Sequence, residues 1–153
     1  MQSKPTELND ELGEELRRLG NELGATTGRN RRCGWFDAPV ARKAAIVNGL
    51  THLAITKLDV LATFDEIKVC THYECDGKKV DLIPNQLSKV GRCMPVYETL
   101  PGWGSDISGC RSWDELPKLA QDYLIRLSEL VGVKIGIVSV GPKRDQTMVV
   151  DLN

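Results

Sequence analysis

The chain has 153 residues, with 20 Lys and Arg against 21 Asp and Glu, and a formal net charge of −1. That length suits one domain with a real core, and the balanced charge excludes a global field that steers the chain to nucleic acid or anionic lipid. No apolar run approaches the roughly 20 residues of a membrane span, and the polar, acidic opening MQSKPTELNDELGEEL does not read as a signal peptide.

Leucines at 12, 16, 19 and 23 recur at helical spacing and predict a helix from Asp10 to Leu23, weakened by Gly13 and Gly20. The turn-prone stretch GATTGRNRRCGW, residues 24–35, follows at once. Asp37 is expected to cap a second helix, with Pro39 in its first turn and Val40, Ala44, Val47 and Leu50 along one apolar face. THLAITKLDVL predicts a buried strand whose polar tail, TKLD, opens a loop. EIKVCTHYECDGKKVDLIP alternates and turns at Asp76-Gly77, a strong hairpin signal. MPVYETLPGW predicts a short strand ended by Pro-Gly, and residues 105–112 a connector. Apolar residues at 116, 119, 120, 123, 124, 127, 130 and 131 make one helical stripe, stopped by Gly132. VKIGIVSVG predicts a second buried strand and TMVVDL an edge strand. Helix, strand, hairpin, helix and strand in this order imply an α/β sheet carrying an antiparallel excursion.

Cysteines stand at 33, 70, 75, 93 and 110. Their odd number and the lack of a CxxC pair argue against a disulfide framework, and with only His52 and His72 beside them also against zinc. Cys70 and Cys75 are candidates to face each other across the hairpin, but reduced thiols in a cytoplasmic setting are the expectation.

In sheets of this class, ligands bind beyond the carboxyl ends of strands. ITKLD and IVSVG are the two candidate ends. A carboxylate at Asp59 is suited to accept both the ring N–H and the exocyclic amine of guanine, while the stem of Lys57 lies along the base. Small GTPases use an Asn-Lys-x-Asp segment in this way; the plain alternative is an ordinary polar strand exit. Backbone N–H groups of Ser139, Val140 and Gly141 are candidates to meet the guanine carbonyl, with Gly141 permitting close approach. In residues 24–32, glycines and consecutive N–H groups form an anion-binding concavity, and Arg29 and Arg31 face one side of an extended segment while Arg32 points away. A solvated basic turn is the bland reading of that loop. A nucleic-acid patch would need aromatic interleaving that the loop lacks. There is no G-x-x-x-x-G-K-[ST] phosphate loop. A base selector and an arginine loop without a phosphate cradle read as part of a site.

At these residues the sequence resembles adenylosuccinate synthetase. GNELGATTGRNRRCGW, ITKLDVL, YETLPGW and VSVGPKRDQTM follow the order and spacing of that family's C-terminal third, and the likeness runs from Pro5 to Asp151. The resemblance implies the C-terminal part of a larger, mostly parallel sheet with helices, plus an antiparallel hairpin excursion. It implies a ligase that couples GTP hydrolysis to the joining of L-aspartate onto IMP, in AMP synthesis: the IMP 6-oxygen is phosphorylated and the aspartate amine displaces the phosphate. Ala25, Thr26, Thr27, Gly28, Arg29, Asn30 and Arg31 would form the aspartate loop, with Arg29 also reaching IMP and Arg31 also sensing the GTP phosphates. Lys57, Leu58 and Asp59, with Ser139, Val140 and Gly141, would form the guanine pocket.

The family's phosphate loop, catalytic aspartate, histidine acid and magnesium ligands belong to an N-terminal part missing from these 153 residues. The whole chain is therefore expected to be one segment, inactive alone, of an enzyme that is generally a dimer, with neither nucleic acid nor membrane as partner. Asn30 replaces a residue usually basic or Pro, and Val140 one often Thr. A reading of another class is a free-standing guanine-nucleotide-binding or regulatory module.

Overall fold

A computed structural model describes residues 5–150. In chain order the elements are α1 (Glu11–Leu19), β1 (Phe36–Asp37), α2 (Ala38–Asn48), β2 (His52–Ile55), β3 (Glu66–Cys75), β4 (Lys78–Val80), α3 (Leu87–Val90), β5 (Cys93–Pro101), α4 (Lys118–Val131), β6 (Lys134–Ser139) and β7 (Thr147–Val149). The expected mixed α/β class is present, but the strands fall into two sheets rather than one. The chain divides into two compact units.

The first unit comprises the chain up to Pro39 together with Lys68–Glu98. Asp10 opens α1 by accepting the Gly13 N–H at 3.0 Å. Glu11 and Glu14 in the first turn, with Arg17 and Arg18 in the last, complement the helix dipole. The helix stops at Gly20, short of the expected Leu23. Gly13 is no weakness here: a Cβ at that position would lie 2.2 Å from the Leu8 carbonyl oxygen. The sheet of this unit runs β1-β3-β4, with β5 also paired to β3. β1 is parallel to β3, and β3 antiparallel to β4. Asp76 (φ 51°) and Gly77 (φ 74°) turn the hairpin in the left-handed region that its tight two-residue turn demands.

Beside that turn, Cys75 and Cys93 form a disulfide, and Arg92 pairs with Asp76 at 3.1 Å. The bond corrects the expectation of reduced thiols. Cys70 and Cys75 lie along the same strand and cannot face each other; Cys93 is carried to Cys75 by the strand that pairs with β3. Cys70 is buried with Tyr73 and Cys93 instead. In the same unit Asp37 Oδ2 accepts hydrogen bonds from the Tyr73 hydroxyl and from Thr6 Oγ1.

The second unit comprises Val40–Ile67 and the chain from Thr99 onward. Its sheet runs β2-β6-β7, β2 parallel and β7 antiparallel to β6. β7 is an edge, as expected. So is β2, which leaves His52 and Ala54 exposed where a buried strand was expected. The α4 stripe buries Ala120, Tyr123, Leu124, Leu127 and Val131, and Gly132 closes the helix at φ 76° by donating to the Ser128 carbonyl.

The face of α2 that carries Val40, Ala44 and Val47 is exposed. Val47 is 72% exposed and Val40 40%, whereas Ala38 and Ala45 are buried. Arg42, on the Ala38–Ala45 side of the helix, donates Nε to the Leu130 carbonyl at 2.9 Å, so that side turns inward. Gly102 lies so close to its own unit's backbone that a Cβ would meet the Phe64 carbonyl oxygen at 1.7 Å. No helix among the described residues is long and apolar enough to cross a membrane.

Candidate functional site at two parallel strand ends, and the arginine loop

β2 and β6 are parallel neighbours with Ile55 opposite Val138. TKLD and SVG therefore leave the sheet side by side, at its carboxyl end. The first exit is sharp: Lys57 adopts φ 60°, ψ 35°, and Leu58–Leu61 follow as one 3₁₀ turn rather than the expected loop. A left-handed lysine is uncommon, and it holds the chain in an abrupt corner. Leu58 plugs the corner at 1% exposure. Asp59 is thereby carried on a rigid turn, its carbonyl accepting the Ala62 N–H at 3.1 Å. Its Oδ1 atom is buried and has no hydrogen-bond partner among the described residues. Such an oxygen costs about 1–3 kcal/mol unless a donor meets it.

At the second exit, Ser139 Oγ donates to the Gly141 carbonyl at 2.9 Å and accepts from Thr147 Oγ1 at 3.3 Å. Val140 is fully buried, and its N–H donates to the Gln146 carbonyl at 2.9 Å. That N–H is engaged within the turn. What Val140 supplies is a buried anchor between Ser139 and Gly141.

The arginine loop belongs to the first unit. Residues 22–31 are a small hairpin rather than an open coil. Arg31 N–H donates to the Glu22 carbonyl (2.9 Å), Leu23 and Asn30 form an antiparallel bridge, and Gly24 N–H donates to the Arg29 carbonyl (2.8 Å). Ala25, Thr26, Thr27 and Gly28 form its tip, Gly28 at φ 62°, with its N–H on the Gly24 carbonyl and Thr27 Oγ1 accepting the Arg29 N–H at 3.4 Å. This pairing places Arg29 and Arg31 on one face and Arg32 on the other. Arg31 Nη1 pairs with Glu22 Oε2 at 3.2 Å, and Arg32 Nη1 with Glu7 Oε2 at 3.5 Å. The exposed guanidinium of Arg29 has no partner among the described residues.

Three residues escaped the sequence reading. Glu22 would have been visible as the cross-strand mate of Arg31 had the loop been recognised as a hairpin. Gln146 and Tyr73, which donates to Asp37, carry no local signal, since their partners lie far along the chain. Among the described residues no three His, Cys, Asp or Glu side chains converge to hold a metal.

A sheet that presents a buried, donor-seeking carboxylate and a glycine turn at adjacent parallel strand ends has the ligand-site layout of the open α/β class. The comparisons identify which member of that class. The family model described as Adenylosuccinate synthetase matches residues 2–148, and the chain belongs to that family. Over 146 residues it is 58% identical to adenylosuccinate synthetases of Trichlorobacter lovleyi and of Geobacter sulfurreducens, covering 95% of this chain and 34% of either relative. The structure of fully ligated adenylosuccinate synthetase from Plasmodium falciparum is similar with a TM-score of 0.94 at 35% identity, over 99% of this chain and 37% of that one. The chain thus spans about a third of the length of these relatives.

Proposed function

We propose that this chain is the guanine-selecting and aspartate-receiving part of a GTP-dependent ligase that joins L-aspartate to IMP. The observation that carries the reading is the buried, unpartnered Oδ1 of Asp59 beside the Ser139–Gly141 turn. Guanine offers two adjacent N–H donors on one edge, the complement of such a carboxylate. Lys57 would cover the base with its stem, Leu58 would hold the corner, and the Gly141 end of the turn would approach the carbonyl.

In the arginine loop, the partnerless Arg29 is suited to a ligand carboxylate or phosphate. Arg31, now on Glu22, would exchange one carboxylate for another. Thr26 and Thr27 would add hydroxyl donors, while Ala25, Gly28 and Asn30 would shape the tip. Phosphoryl transfer relies on positioning and charge stabilisation. This sequence has no phosphate-loop motif, and its described residues gather no metal-ligating cluster. The chain spans about a third of its relatives' length, and the reading assigns the phosphate cradle, the acid–base groups and Mg²⁺ to the part of such an enzyme outside the matched third, so that the segment alone would be inactive. A homodimeric, cytoplasmic enzyme follows from the family reading. The disulfide removes the thiol argument for the cytoplasm, which now rests on the substrates alone.

The test is Asp59→Asn in the complete polypeptide that carries this segment. The amide offers one donor and one acceptor, which suits xanthine better than guanine. Hydrogen bonds to charged groups are worth about 1.5–3 kcal/mol, so GTP binding should weaken about ten- to a hundred-fold while XTP binding improves. An unchanged GTP-to-XTP ratio in competition binding defeats the assignment.

A further inference from the structure

We infer that Gln146 is a positioning residue for the nucleotide base: it fixes the Ser139–Gly141 turn in the conformation that meets the ligand. This rests on the guanine reading of that turn and adds to it a residue outside the expected pocket. Four contacts converge on Gln146. Its Oε1 accepts the Lys143 N–H at 3.1 Å, and its Nε2 donates to the Ser108 carbonyl at 3.0 Å. Its own carbonyl accepts the Val140 N–H, and its own N–H donates to the Lys143 carbonyl. The side-chain amide also lies flat against Gly141, where a Cβ would come within 2.3 Å of Oε1 and 2.5 Å of Nε2. Gly141 is thus caught between the Ser139 hydroxyl on its carbonyl and the Gln146 amide on its Cα.

The far end of this clamp is itself fixed. The Ser108 carbonyl that receives Gln146 also accepts Arg111 Nη1 at 2.8 Å. Asp106 holds the Ser108 N–H at 2.8 Å, and Arg111 Nη2 returns to Asp145 at 3.1 Å, one residue from Gln146. Residues 106–111 and 143–146 therefore close a hydrogen-bonded ring behind the turn. Gln146 joins that ring to the turn, through its carbonyl on the Val140 N–H and its amide against Gly141. A hydrogen-bonded amide in this setting orders a loop that its glycine would otherwise leave free.

The experiment compares Gln146→Leu, Gln146→Glu and Asp122→Ala in the complete polypeptide. Leucine keeps the bulk and loses both the acceptor for Lys143 and the donor to Ser108; glutamate keeps the bulk and the acceptor and loses the donor. Asp122→Ala removes the exposed ion pair to Lys118 on α4, outside the ring. KM for GTP should rise about tenfold in Gln146→Leu, with kcat and the KM values for IMP and aspartate within about twofold of wild type. Gln146→Glu, which keeps one of the two side-chain bonds, should show a smaller rise in KM for GTP than Gln146→Leu, and Asp122→Ala should show none.

A merely structural Gln146 would lower the melting temperature and depress all parameters together in Gln146→Leu, or change nothing; either result overturns the inference. If Asp59→Asn shifts nucleotide choice while Gln146→Leu does not change KM for GTP, only the positioning role fails. If Asp59→Asn has no effect on that choice, the guanine reading itself fails.

Discussion

Ile55 lies opposite Val138 in parallel register, and this one pairing makes TKLD and SVG, far apart in the chain, neighbours. From Ile55 the chain needs two residues to reach the left-handed Lys57 and four to reach Asp59; from Val138 it needs three to reach Gly141. A base held by both exits would be gripped by a side-chain carboxylate from one strand and by backbone from its neighbour. Any slip of register between β2 and β6 would separate them, so the site depends on the Ile135, Ile137 and Val138 side of β6 staying paired with β2.

The three arginines of the loop are predicted to differ in consequence. Arg29 is exposed and unpartnered among the described residues, while Arg32 is held by Glu7 on the opposite face. Under the proposed function, Arg29→Ala in the complete polypeptide should raise KM for aspartate about ten- to a hundred-fold, the worth of one or two charge-assisted bonds. Arg32→Ala should leave that KM within about threefold. Steady-state kinetics with aspartate varied at saturating GTP and IMP measures both, and equal effects would show that the loop acts only as a diffuse positive charge.

Gly13 supplies a second test, of stability rather than binding. By helix propensity alone, Gly→Ala in the first turns of α1 should stabilise by up to about 1 kcal/mol. The Leu8 carbonyl oxygen stands 2.2 Å from where the Cβ would be, and backbone yields less readily than a side-chain tip. Gly13→Ala should therefore destabilise, by roughly 1–3 kcal/mol as overpacked sites do. Urea denaturation of the chain decides the sign, and a raised midpoint refutes the close approach.

Much of this was legible before the structure. The Asp76-Gly77 hairpin and the α4 stripe ending at Gly132 are local chemistry, written within a few residues of the features they produce. The two strand ends were readable because their residue types stand out after apolar runs. What was not readable depends on distant partners. On α2 two stripes satisfy the helical period, and Arg42 reaching Leu130, 88 residues away, selects the one with Ala38 and Ala45. The Cys75–Cys93 bond needs the β3–β5 pairing, which no spacing announces. Gln146 is tied to Ser108 across 38 residues, so nothing near it in sequence marks it as part of the turn.

The buried group around Cys70 gives the last prediction. Burial pushes the Cys70 thiol up from 9.0 to about 12, helped by the nearby Asp37 carboxylate, and burial pushes Tyr97 up from 10.0 to about 12. Tyr73 is raised further, by burial and then by the hydrogen bond it donates to Asp37. Each of these groups ionises in the unfolded chain before it does so in the folded one. Below about pH 8 both states hold nearly all the protons, and stability hardly depends on these groups. Between pH 9 and 12 the unfolded state binds fewer protons, so unfolding is favoured increasingly as pH rises. Each fully shifted group contributes a slope of at most about 1.4 kcal/mol per pH unit. Cys70→Val keeps the volume and removes one such group. Between pH 8 and 11 the wild-type chain should lose stability more steeply than the variant in rapid denaturation measurements, while the two curves run parallel between pH 6 and 8. Equal slopes above pH 9 would mean that Cys70 ionises as freely in the folded chain as in the unfolded one.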